Sequence, residues 1–205
     1  ATASDNAYAI QNYDGGEITT LINTGTISAV ASNDTAYGIY VNDGPGLSST
    51  ISTLTNTGTI SGSVTGSGLD AFDIKNDGVI TTFNNQQTGL TYSGTLPVNY
   101  NIIINSPTSY GQMFVTSEAG STDFGLSSVS TNLFNGKYSN VMTGVSDGNV
   151  GATRSGSLTG DGQSAVGTAN WVLTETASDS QAWDLNITGD YVYFGSVATL
   201  QSSVN

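Results

Sequence analysis

Leu21-Ile22-Asn23-Thr24-Gly25-Thr26-Ile27-Ser28 returns 33 residues on as Leu54-Thr55-Asn56-Thr57-Gly58-Thr59-Ile60-Ser61. Working outward, Ile18-Thr19-Thr20 precedes the first copy and Ile51-Ser52-Thr53 the second. A third copy, Ile80-Thr81-Thr82-Phe83-Asn84-Asn85, decays afterwards into Gln86-Gln87-Thr88-Gly89. A second anchor runs in step with the first: Ala7-Tyr8-Ala9-Ile10, Ala36-Tyr37-Gly38-Ile39 and Ala71-Phe72-Asp73-Ile74. The Ala anchors lie 29 and 35 residues apart and the Asn anchors 33 and 29, so loops vary in length while strands keep their order.

Each unit offers short β-branched segments between Asn, Asp and Gly turns, with no helical period. One unit cannot bury its apolar face alone, but stacked units can, each strand pairing with its equivalent one round below. Asn23 and Asn56 have two readings that both suit such a stack. Their amides can form a hydrogen-bonded ladder along the axis, or they can occupy left-handed turn positions. The expected fold is all-β: a parallel, right-handed β-helix solenoid over residues 1–95, built from three degenerate 29–35-residue repeats.

The composition narrows the chemistry. Ser, Thr, Asn and Gly make up about half of the 205 residues; there are 16 acidic side chains, three basic ones, no His and no Cys. A net charge of -13 with only Lys75, Lys137 and Arg154 positive cannot build the basic surface that nucleic acid requires. A Ser-His-Asp triad, a cysteine nucleophile, a disulfide and an imidazole or thiolate metal site are all excluded. No apolar run approaches the length of a membrane helix.

After Leu96-Pro97 the repeat signature fades. Strand-like runs follow at Tyr100–Asn105, Tyr110–Val115, Tyr138–Val145, Asn170–Glu175, Trp183–Ile187 and Tyr191–Phe194, and Gly160-Asp161-Gly162 reads as a turn. Both Trp residues, Trp171 and Trp183, fall here. Larger side chains and lost periodicity predict a C-terminal β cap over residues 96–197 that closes the hydrophobic column and folds first.

Candidate sites are few. Asp70 with Asp73, and Glu118 with Asp123, are the carboxyl pairs a polysaccharide-cleaving enzyme would need, though solvated turn acids are commoner. Asp14-Gly15-Gly16-Glu17 and Asp43-Gly44 are oxygen-rich turns where calcium could sit, but neither matches a known calcium loop. No cofactor is expected. Tyr8, Tyr37 and Phe72 recur at one repeat position; sharing a face with Ile10, Ile39 and Ile74 by alternation, they are expected in the core, the other reading being an outward platform for sugar rings.

The repeats containing Asn-Thr-Gly-Thr-Ile, alternating with Ala-Tyr-Gly-Ile segments, resemble the passenger domains of Gram-negative autotransporters. Tyr100 to Val115, ending Tyr-Gly-Gln-Met-Phe-Val, is similar to the start of that family's capping or autochaperone region. Trp171-Val172-Leu173 and Trp183-Asp184-Leu185 resemble its paired Trp strands, and residues 198–205 look like the start of a linker to a translocator β-barrel. The resemblance implies a non-enzymatic, surface-exposed stalk or adhesin on a Gram-negative bacterium. Asn23, Asn56, Trp171 and Trp183 would be its structural residues, the barrel a partner in cis and a cell-surface or glycan target a possible ligand. A monomer is expected, with Ala1 falling inside a repeat of a longer passenger. The alternatives are a polysaccharide-active β-helix enzyme and a self-stacking extracellular filament.

Overall fold

The computed structural model describes residues 1–66, 70–131, 133–160, 162, 165–177 and 180–193. The linker expected at 198–205 lies outside them, as do Asp161 and Phe194. Among the described residues the fold is all-β with parallel sheets and no α-helix. The strands are β1 (Thr2–Ala3), β2 (Ala7–Tyr13), β3 (Glu17–Asn23), β4 (Thr26–Ala31), β5 (Ala36–Asn42), β6 (Thr50–Asn56) and β7 (Thr59–Val64). Next come β8 (Ala71–Asn76), β9 (Val79–Asn85), β10 (Leu90–Thr95), β11 (Asn99–Ile102), β12 (Ile104–Ser106) and β13 (Ser109–Tyr110). Then follow β14 (Met113–Ala119), β15 (Asp123–Leu126), β16 (Gly136–Thr143) and a 3-10 turn at Asp147–Asn149. Last are β17 (Ser155–Thr159), β18 (Ala165–Val166), β19 (Thr168–Glu175), β20 (Ala182–Gly189) and β21 (Val192–Tyr193).

The repeats become rows of parallel strands. Equivalent strands pair across the loops: β2 with β5 with β8, β3 with β6 with β9, and β4 with β7. Register follows the sequence anchors, with Ile10 beside Ile39 beside Ile74 and Leu21 beside Leu54 beside Phe83. Identical side chains therefore stack at the spacing between strands, roughly 4.8 Å. Ile39, Ile51, Leu54, Ile60, Ile74 and Ile80 are completely buried in one continuous core. A smaller cluster of Ala7, Ala29, Ala31 and Ala36 fills the narrow side, where β4 approaches β2 and β5.

Parallel pairing does not stop where the repeats fade. β10 pairs with β8 and β14, β11 with β9 and β15, and β14 with β16, all parallel. Only then does the direction change: β16, β20, β19 and β17 pair antiparallel and complete a nine-stranded sheet. Side chains grow along the same core, from Leu21 and Leu54 through Phe83, Tyr100 and Phe124 to Trp171. Consecutive rings in this series lie 5.7 Å, 6.0 Å and 5.7 Å apart. Trp183 is 1% exposed and donates its indole N–H to the Val145 carbonyl at 2.8 Å.

Candidate functional site

Two columns of side chains run along the stacked strands, one of amides and one of rings. In the first, Asn23 Nδ2 donates to Asn56 Oδ1 at 2.8 Å and Asn56 Nδ2 to Asn85 Oδ1 at 3.2 Å. Each end of the column also holds its own turn, Asn23 Oδ1 accepting from the Gly25 N–H and Asn85 Oδ1 from the Gln87 N–H. The three asparagines are buried and have ordinary negative φ; the only non-glycine residues with positive φ are Asp14, Asn140 and Gln181 among those described. These side chains satisfy groups that would cost about 1–3 kcal/mol each if buried unpaired.

The second column is only partly enclosed: Tyr37 is buried, at 8% exposure, while Tyr8 and Phe72 are half-buried. Ile39 and Ile74 lie in the main core and Ile10 packs against it. Strict alternation fails here, since Ala36, Tyr37, Gly38 and Ile39 are all buried and the pairing register passes over Ala9, Gly38 and Asp73. A Cβ on Gly38 would come within 2.6 Å of the Ile60 side chain, which fixes that position as inward and as glycine. Tyr37, buried, and Tyr40, half-buried, flank Gly38 and Ile39 with their rings 5.1 Å apart.

The rings of this column pack on one another. Tyr8 and Tyr37 stack at 5.5 Å with planes 20° apart, and Tyr37 and Phe72 at 5.9 Å and 19°. Tyr40 leans across the first two rings. Sugar stacking needs open ring faces, and these faces are largely turned on one another. Burial, then the Asp77 carboxylate, push the Tyr40 hydroxyl up to about 12, so it stays protonated and donates to Asp77 Oδ2 at 3.2 Å. The column stabilises the repeats.

The two carboxyl pairs sit in unlike surroundings. Asp70 is exposed, while Asp73 points inward and accepts from the Gly62 N–H at 3.2 Å and the Thr91 N–H at 2.8 Å. Glu118 is taken up by the Ser146 N–H and hydroxyl, and Asp123 Oδ1 lies against Gly151. A cleft of about 300 Å³ lies elsewhere, between Leu133, Phe134, Tyr191 and Val192, and no carboxylate lines it. Asp43 accepts from Ser48 and Ser49, and no three acidic side chains converge among the described residues.

All three cations are committed to ion pairs: Lys75 with Asp77 at 2.8 Å, Lys137 with Asp184 at 2.6 Å and Arg154 with Asp147 at 2.6 Å. Arg154 also lies 5.0 Å above the Trp183 ring and donates to the Asp147 and Val150 carbonyls. Trp171, Trp183, Asn23 and Asn56 are all buried.

Sequence reasoning missed the closing of the three-stranded sheet β1-β4-β7. Among the described residues no strand pairs with the far side of β7. Instead Gln87 stands in for one: its Oε1 accepts from the Ile60 N–H at 2.7 Å and its Nε2 donates to the Ile60 carbonyl at 2.9 Å. Asp73 takes the next inward N–H, that of Gly62. The available signal was Gln86-Gln87 standing where the earlier copies have Thr-Gly, which reads as decay. No protein-family model, curated protein or solved structure matches this chain.

Proposed function

We propose that the chain is a non-enzymatic β-helical stalk, right-handed and displayed on a Gram-negative cell surface as part of an autotransporter-like passenger. The carrying observation is the in-register parallel stacking of strands from separate repeats, followed by antiparallel strands over an aromatic core. In this reading residues 1–95 form the repeating shaft and residues 96–197 the closing unit that promotes folding during secretion. Parallel pairing through β10, β11, β14 and β15 joins the two. The shaft is monomeric, a translocator β-barrel is its partner in cis, and any cell-surface or glycan target is engaged without catalysis.

Absence of thiols and scarcity of cations suit a chain that must cross a membrane unfolded and fold outside without disulfides. The polysaccharide-active alternative is disfavoured by the internal commitments of Asp73 and Glu118. Fusing residues 1–205 to an autotransporter barrel and probing intact cells with antibody and protease tests the proposal. Display of a folded, protease-resistant chain is expected; retention in the periplasm would overturn it. Cleavage of acidic polysaccharides that is lost in Asp70→Asn/Asp73→Asn would overturn the non-enzymatic part separately.

A further inference from the structure

The cleft between Leu133, Phe134, Tyr191 and Val192 takes no part in the repeats. It lies where the chain enters β16 and leaves β20, and its volume of about 300 Å³ also touches Asn135 and Tyr193. Phe134 sets it apart. This side chain is 52% exposed, and its ring meets no other ring among the described residues, unlike the mutually stacked Tyr8, Tyr37 and Phe72. Its backbone is nonetheless held. The hydroxyl of Tyr138, itself 2% exposed, accepts from the Phe134 N–H at 3.1 Å and donates to the Phe134 carbonyl at 2.9 Å. The Tyr138 ring is in turn set edge-on against Tyr110 at 5.2 Å. Asn135 is tied next to it, its Nδ2 donating to the Gly189 carbonyl at 2.9 Å. Leu133 belongs to the main core and Tyr191 packs against that core, so these walls are fixed as well. An open aromatic ring on a fixed backbone has given up part of its freedom before any ligand arrives, which lowers the cost of binding.

The lining selects the ligand. In a chain of net charge -13, no charged side chain lines this cleft among the described residues, so a bound ion of either sign would lose water without gaining a partner. The volume stands at the low end of the roughly 300–1,000 Å³ of ligand pockets, room for one or two small rings. Aromatic faces beside an amide match a ring with C–H bonds on its faces and hydroxyls round its edge. We propose that the cleft binds a single neutral sugar ring, stacked on Phe134 and hydrogen-bonded by Asn135. With Nδ2 committed to Gly189, Asn135 Oδ1 is the atom that accepts from a sugar hydroxyl. The proposal rests on the non-catalytic glycan engagement stated above and gives it a place, in the closing unit and away from the shaft.

The test is titration of the full chain with glucose, galactose and N-acetylglucosamine, followed by amide NMR. At least one should give saturable shifts, in the millimolar range, centred on Leu133, Phe134, Asn135, Tyr191 and Val192. Phe134→Ala should weaken that binding about tenfold and Phe134→Trp should preserve it. Tyr13→Ala, at a half-exposed ring far along the chain in β2, should leave it unchanged. Glucuronate, which brings a carboxylate, should bind more weakly than glucose. The absence of saturable shifts with all three neutral sugars would overturn the proposal, as would shifts centred elsewhere, binding that survives Phe134→Ala, or glucuronate binding as well as glucose. Should Phe134→Ala fail to fold, the wild-type shift map and the glucuronate comparison decide. Failure here leaves surface display standing, because display is read by antibody and protease without any sugar.

Discussion

Two aspartates buried among the described residues show how differently the two regions are held. Asp73, among the repeats, faces only neutral donors; Asp184, in the antiparallel strands, faces the Lys137 ammonium and the Asn140 N–H at 2.9 Å. Burial pushes up both carboxyls, yet at Asp184 the Lys137 hydrogen bond and charge and the Asn140 N–H outweigh it and hold the group below the ordinary value. The same division runs through the packing. The repeats gain stability from many small stacked groups and shared amides, the later strands from a few large side chains with specific partners. A periodic region spreads its stability over equivalent positions, so no single one dominates. The aperiodic region concentrates it.

Truncation should break the comparison most severely. A fragment beginning at Leu96 removes β10 and bares one edge of β14, which keeps only β16 beside it, whereas one beginning at Gly89 keeps both pairings. The longer fragment should melt cooperatively and stay soluble, and the shorter should aggregate on light scattering through its bare edge. Equal behaviour of the two would place the stable unit beyond β14. Next in size is Trp183→Ala, which empties a fully enclosed site and orphans the Val145 carbonyl; denaturant unfolding should show a loss of about 3–5 kcal/mol. Asn56→Ala breaks the amide column at its centre, where Asn23, Asn85 and Gln87 all meet it. A loss of about 1–3 kcal/mol is expected by the same measurement. A loss as large as that of Trp183→Ala would contradict the spreading of stability over the repeats.

The smallest effect sharpens the contrast in charge. Lys137 is half exposed, so Lys137→Ala should cost about 1 kcal/mol near neutral pH. Asp184 has a lowered folded-state value, so its contribution is present above the ordinary carboxyl range and fades as pH falls through the folded midpoint. Acid melts of wild type and Lys137→Ala should therefore converge below that range. A gap that persists at the lowest pH would assign the loss to lysine packing.

The stacked architecture was legible because Asn23/Asn56 and Ile10/Ile39/Ile74 repeat in the same order across loops of different length. Alternation did not foresee that Ala36, Tyr37, Gly38 and Ile39 would all be buried, because period-two reasoning assumes a regular strand. The inward place of Gly38 shows itself only through what the glycine approaches. The end of the repeats at residue 95 was legible as lost similarity, but parallel hydrogen bonding depends on backbone groups that every residue carries. It continues through β15 without any repeated side chain. The Gln87 plug was hidden for the converse reason: a side chain imitating a strand need occur only once, and periodicity detects only what recurs.

The pairing of all three cations has a consequence for resistance to digestion. A trypsin-like protease must draw a Lys or Arg into its own pocket from a locally extended, released segment. Here Lys75 lies within β8, Lys137 within β16, and Arg154 is fastened to the 3-10 turn while covering Trp183. Digestion at any of the three requires local unfolding before the first cut. The scarcity of basic residues thus leaves such a protease three cleavable positions in these 205 residues, each guarded by the fold it would have to destroy.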